Sequence, residues 1–286
     1  MPQQKKSNAR AAGFGKSFSG SGLHAHWERL HLGDREPYPD PARVTRLAKG
    51  QPRFAAWVDA HGGAKAIAAG AQDAWREFHG GEYSRAIGIG EEFGALGATA
   101  ANKAAAIHSL QHGVSEASVL KELEAATERG ERAVAMLPDY ANAHYMLALA
   151  LGRYSQRISI TRALATGLAT RVRKHLDTTI ELEPRHAEAH IALGLYHAEI
   201  VAKLGSLLAA LSYQATGEAA LEHLRRAIKL VPDSPVARIE YANALLLLDA
   251  SANRDQAREL YEQAAACKPA DAMEQLDVGR ARRGPQ

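Results

Sequence analysis

Four prolines, Pro138, Pro184, Pro232 and Pro269, close four comparable stretches, GERAVAMLP, LDTTIELEP, LRRAIKLVP and YEQAAACKP. A proline inside a helix costs about 3 kcal/mol, so its recurrence marks the repeated end of a helix. Five residues before these prolines stand Ala133, Thr179, Ala227 and Ala264, and twelve before stand Ala126, Val172, Ala220 and Ala257. Downstream, Ala143, His144 and Leu147 recur as Ala189, His190 and Leu193, and as Ala237, Arg238 and Tyr241. Small residues at fixed offsets are what antiparallel helices need where they cross closely. The pattern predicts an all-α chain, an α-solenoid of stacked helix hairpins.

Composition agrees with that reading. Aromatic residues make up only 6% of the chain, so a core must be built from alanine-sized side chains. Cys267 is the only cysteine, which excludes an internal disulfide framework and cysteine-rich metal sites and fits the cytoplasm. A net charge of +3 is too small to make the whole chain a polyanion binder, so no specific nucleic acid is expected. No run reaches the length of a membrane span, and no membrane association is expected.

Along the chain, residues 1–22 read as a disordered basic tail carrying Lys5, Lys6, Arg10 and Lys16. Residues 23–62 form an N-terminal helical extension, with Asp40-Pro41 and Pro52 as starts and Gly62 as a stop. Residues 63–137 read as degenerate hairpins turning at Gly80-Gly81, residues 138–269 as the proline-marked repeats, and residues 270–286 as a C-terminal tail.

At these residues the chain resembles the tetratricopeptide repeat family, whose unit is 34 residues long. Ala86 in GGEYSRAI would fill the small-residue position of an earlier second helix. Here the prolines are 46, 48 and 37 residues apart, so two hairpins are elongated between their first helix (A) and second helix (B). The extra residues either lengthen both arms or form a short helix at the tip, as Gly205-Ser206 and Thr216 in KLGSLLAALSYQATGE allow. Elongated repeats look like those of T-component proteins of TRAP-type transporters and of regulator-of-microtubule-dynamics proteins.

The tetratricopeptide resemblance implies a concave groove lined by helix A residues, here Asn142, Tyr145, Leu149, Glu188, Ile191, Leu195, Ile239 and Asn243. Tyr145, Ile191 and Ile239 stand where a carboxylate clamp would have its first lysine, so a chaperone C-terminus is not the expected ligand. Arg153, Arg157, Arg162, Arg171, Arg173 and Lys174 occur with no acid between Asp139 and Asp177, and would form a basic rim for an acidic partner.

Motifs that could carry chemistry are weaker. In RHAEAH, His186 and His190 are four apart and could share a helix face as a zinc grip. Repeat register instead places His190 with His144 as a packing residue and His186 in a linker, level with Tyr140 and Ser234. A zincin also needs glutamate directly after its first histidine, where this chain has Ala187. His24, His26 and His31 form a second cluster without cysteine support. Gly15-Lys16-Ser17 lacks the rest of a phosphate loop, and IGIGEEFG has Phe93 where a dinucleotide loop needs glycine. Cys267 reads as a buried small residue.

The expected function is therefore a non-catalytic scaffold that binds a protein or peptide on its helix A surface, with no metal and no cofactor and with its oligomeric state open. Two alternatives are a solute-binding transport accessory and a histidine-based hydrolase centred on His186 and His190.

Overall fold

A computed structural model of the chain describes residues 18–110 and 115–285, the side chains of Ile160, Thr161 and Leu164 aside. The basic-tail reading and Gly15-Lys16-Ser17 thus fall on residues outside the described ones, although Phe18 is buried. Every regular element among the described residues is helical. No described helix is long and apolar enough to cross a membrane.

The described residues divide into two compact units, one made of those within 18–29 and 36–178, the other of those within 30–35 and 179–285. In the first unit α1 (Gly22–Leu30), α2 (Pro41–Gly50) and α3 (Pro52–Ala60) precede α4 (Gly63–Gly80), α5 (Tyr83–Glu92), α6 (Gly94–His108), α7 (Glu116–Met136), α8 (Ala141–Ser155) and α9 (Ile160–Ala165). The unit boundary falls inside α10 (Leu168–Leu182). The second unit contains α11 (Ala187–Leu204), α12 (Ser206–Tyr213), α13 (Gly217–Leu230), α14 (Pro235–Ala265) and α15 (Ala272–Ala281).

Each unit repeats one packing rule, in which helix A contacts its own helix B and the next helix A, and helix B contacts that next helix A as well. In the first unit α4, α5 and α6 pack this way, then α6, α7 and α8; in the second, α11, α13 and the start of α14 do. The predicted crossing residues lie where the rule needs them. Ala126, Ala133, Thr179, Ala220, Ala227, Ala257 and Ala264 are all buried. Helix α6 is enclosed along nearly its whole length and is composed mostly of alanine and glycine. Gly90 of α5 lies against it so tightly that an added Cβ would stand 2.5 Å from the Gly97 carbonyl oxygen. Gly90 of IGIGEEFG thus serves helix packing.

Local chemistry explains the helix starts. Asp40 caps α2 by accepting the Arg43 N–H at 2.6 Å, with Pro41 at the first helical position. Thr216, Ser234 and Asp271 cap α13, α14 and α15 in the same manner. Helix α4 ends on Gly81, whose φ of 87° is one that a residue with a side chain rarely adopts. Helix α14 is broken at Asp249, whose side chain accepts the N–H groups of Ser251 and Ala252 and starts its second half.

The extra length of the two long repeats takes the form of tip helices. Helix α9 stands between α8 and α10, and α12 between α11 and α13, the latter entered at Gly205 and left before Thr216. The C-terminal stretch carries α15, which packs on α14 through the buried Val278 and Ala281.

Candidate functional site

Two residues after each repeat proline stands the residue that precedes the next helix, and four different side chains occur there, Asp271 before α15 among them. Tyr140 precedes α8, His186 precedes α11 and Ser234 precedes α14. His186 is fully buried, and its Nδ1 accepts the Ala189 N–H at 3.0 Å. That bond requires the Nε2–H tautomer of a neutral ring. His190 points elsewhere, its Nδ1 lying 2.9 Å from His223 Nδ1 while Nε2–H donates to the Pro184 carbonyl at 3.2 Å. The two rings of RHAEAH therefore do not converge on one point. The described residues contain no cluster of three or more histidine, cysteine or acidic side chains suited to a metal.

The same pair occurs one repeat earlier. His144 Nδ1 lies 2.9 Å from His175 Nδ1, and its Nε2–H donates to the Pro138 carbonyl at 2.8 Å. Burial, then His144, Lys174 and Arg171, hold the His175 pKa down to about 4. Burial also lowers that of His190, with Arg226 acting in the same sense and the Pro184 bond opposing.

In the second unit, of the helix A residues expected to line a groove, Ile191 and Ile239 are buried in an apolar cluster, Leu195 packs against it, and Glu188 and Asn243 are half-buried. Leu32, from the segment Leu30–Arg35, packs against the same cluster. The Glu188 backbone N–H donates to the Gly33 carbonyl at 3.1 Å. The Glu188 side chain lies so near Gly33 that a Cβ there would stand 3.1 Å from Oε1. A buried hydrogen bond between His31 Nδ1 and Asp34 Oδ1, 2.9 Å long, closes the turn. Leu32 and Gly33 of the same chain thus sit against this face, a feature that helix A register alone does not reveal. At the last repeat, Asn243 accepts the Tyr261 hydroxyl at 2.6 Å, and Glu240 pairs with Arg280. Half-buried Asp277 stands beside that pair, its pKa raised to about 7 by burial and by Glu240, Asp271 and Glu274, with Arg280 opposing.

In the first unit Asn142 and Tyr145 are buried and Leu149 is half-buried. Glu36 accepts the hydroxyl of buried Tyr140, and the Arg43 guanidinium stands 5.0 Å over the same ring. Trp27 Nε1–H donates to the Glu36 carbonyl at 2.7 Å, and Gln72 donates to that of Pro39 at 2.8 Å. The segment beginning at Glu36 is thereby anchored on α4 and on the linker before α8.

Half of the basic rim is paired with carboxylates where it stands. Arg157 pairs with Glu116 at 3.1 Å and donates to the Ser109 carbonyl, Arg171 pairs with Glu131, and Arg173 with Asp177 at 3.2 Å. Arg153 donates to Gln156, exposed Arg162 lies over Tyr154, and Lys174 is exposed. Among the histidines near the start, His24 packs on Tyr38 and His26 donates to the Gly22 carbonyl at 2.8 Å. Cys267 is half-buried rather than buried, its thiol donating to the Gln263 carbonyl.

The model of a family described as regulator of microtubule dynamics protein 1-3 matches residues 100–279, more than half of the chain. No curated protein matches. Among solved structures, a thermophilic tetratricopeptide repeat (TPR) protein of Thermus thermophilus is 18% identical, with a TM-score of 0.55 over 76% of this chain and 100% of that one. YrrB, a TPR protein with an unusual peptide-binding site, is 15% identical, with a TM-score of 0.37 over 73% and 88%. Human IFIT1, a dimer with PPP-AAAA, is 17% identical, with a TM-score of 0.41 over 77% and 55%. The Thermus likeness establishes a tetratricopeptide-type fold and nothing about ligands.

Proposed function

The chain belongs to the regulator of microtubule dynamics protein 1-3 family, and from that premise we propose that it is a non-catalytic helical-repeat adaptor. It binds an extended segment of a protein partner on the helix A face of its second unit. The observation that carries this reading is the seating of Leu32 and Gly33 on that face. A surface that offers an apolar cluster and a helix-start N–H to the backbone of a turn suits a peptide better than a transition state. The engagement of Arg157, Arg171 and Arg173 by carboxylates leaves exposed Arg162 and Lys174, with half-buried Arg153 held by Gln156, as the cations for an acidic partner. Action in the cytoplasm fits the single thiol at Cys267.

The family description makes microtubules the first partner to test. Co-sedimentation with polymerised tubulin, and affinity capture followed by mass spectrometry, should return a partner that is lost in a folded Leu195→Asp variant. Full retention by that variant would remove the helix A face from consideration. Retention after reversal of Arg153, Arg162 and Lys174 would remove the acidic-partner reading.

A further inference from the structure

We infer that Leu30–Arg35 is a ligand in cis, so a partner reaches the helix A face of the second unit only by displacing it, and that such a partner carries an aliphatic residue followed directly by glycine. This deepens the function proposed above and rests on it for the identity of the competitor.

The segment meets that face through features a separate peptide could supply. Leu32 provides one apolar side chain to the cluster holding Ile191 and Ile239. The Gly33 carbonyl takes the Glu188 N–H, one of the α11 amides left without an intrahelical acceptor. Gly33 is not among the glycines with positive φ, so close approach to the Glu188 side chain, rather than backbone conformation, favours glycine there. A side chain there would meet both Oε1 and Cγ of Glu188, at 3.1 and 3.3 Å. The turn is held by its own bonds, with Arg35 N–H donating to the His31 carbonyl and the buried His31–Asp34 contact beside it. Arg35 has a φ of 54°, a conformation that persists in a side-chain-bearing residue when its surroundings impose it.

Tethering sets the size of the effect. A short tether gives an effective concentration on the order of 1 mM, so a segment with an intrinsic Kd of about 0.1 mM would fill the face roughly nine-tenths of the time. An outside peptide would then bind about tenfold more weakly than to the open face.

The test uses the full chain and, as probe, a labelled synthetic peptide of residues 28–38. A Leu32→Asp variant should bind the probe at least tenfold more tightly than the unaltered chain, and the probe carrying Gly33→Val should not bind. Exchange of the Glu188 amide should accelerate in the same variant. Should Leu32→Asp not fold, Gly33→Ala replaces it: that change should strengthen probe binding, and adding Glu188→Ala should reverse the gain. Equal affinity for variant and unaltered chain, or no binding by a folded variant, overturns the inference. If a partner captured through Leu195 binds the unaltered chain and Leu32→Asp alike, the adaptor function stands and the cis ligand falls. If the probe discriminates but no partner is captured, the reverse holds.

Discussion

His144 and His175 face each other through their Nδ1 atoms at 2.9 Å, and His190 and His223 repeat the arrangement one hairpin later at the same distance. Because His144 Nε2–H is committed to a carbonyl, its Nδ1 accepts, and His175 must supply the hydrogen. Two protonated rings would bring two hydrogens to the same contact. A hydrogen from His175 Nδ1 to His144 Nδ1 therefore links helix B to helix A.

Acid should weaken the fold by charging the half-buried His175 ring. The folded pKa of His175 is about 4, below its ordinary value of 6.5, so the unfolded chain binds more protons between those limits. Stability from this group is intact above pH 6.5 and falls as pH drops toward 4. Melting temperature followed from pH 7.5 to 4.5 should decline less steeply in His175→Gln than in the unaltered chain. Parallel curves would refute the assignment.

Asp277 should act in the opposite sense. Its raised pKa means the folded state holds a proton that the unfolded chain has released, so this carboxyl costs stability as pH rises from about 4 through about 7. Asp277→Asn should melt higher than the unaltered chain at pH 8 and alike at pH 4. A variant that melts lower at pH 8 would show that the ionised carboxylate is needed.

The start of α11 can be tested by exchange of its cap. His186→Ala removes the acceptor for the Ala189 N–H from a fully buried position, a loss of about 1 kcal/mol or more. His186→Asn keeps a capping oxygen and should retain more of the stability. Denaturant unfolding of both variants measures the difference, and equal losses would mean that ring packing, not capping, is the role of His186.

Gly90 and Gly88 offer a paired comparison on one helix. A methyl group at Gly90 would meet the Gly97 backbone, which cannot swing aside, and Gly90→Ala should cost roughly 1–3 kcal/mol. At Gly88 nothing lies within 4 Å, so Gly88→Ala should stabilise by roughly 0.5–1 kcal/mol through backbone entropy alone. Thermal unfolding should move in opposite directions for the two.

The repeat prolines and the small residues at fixed offsets made the hairpins and their helix A faces legible from the sequence, because crossing geometry demands both. His190 was readable as the partner in register of His144 for the same reason. What sits against the second unit's face was not, since HLGD has no periodicity and is far in sequence from Glu188. Which acids pair with Arg157 and Arg171 was likewise not readable, because Glu116 and Glu131 lie about forty residues upstream, beyond any spacing within one helix. The tip helices were legible only as one of two choices, decided by the Gly205 break and the Thr216 cap.

The placement of α9 and α12 makes the two long repeats tolerant of change at one point. Each supplementary helix is inserted between an A and a B helix, so its length is uncoupled from the crossings that join neighbouring hairpins. Cargo such as a fluorophore-bearing loop or a short affinity epitope, exchanged for Ser206–Tyr213, would leave the phase of every later repeat unaltered.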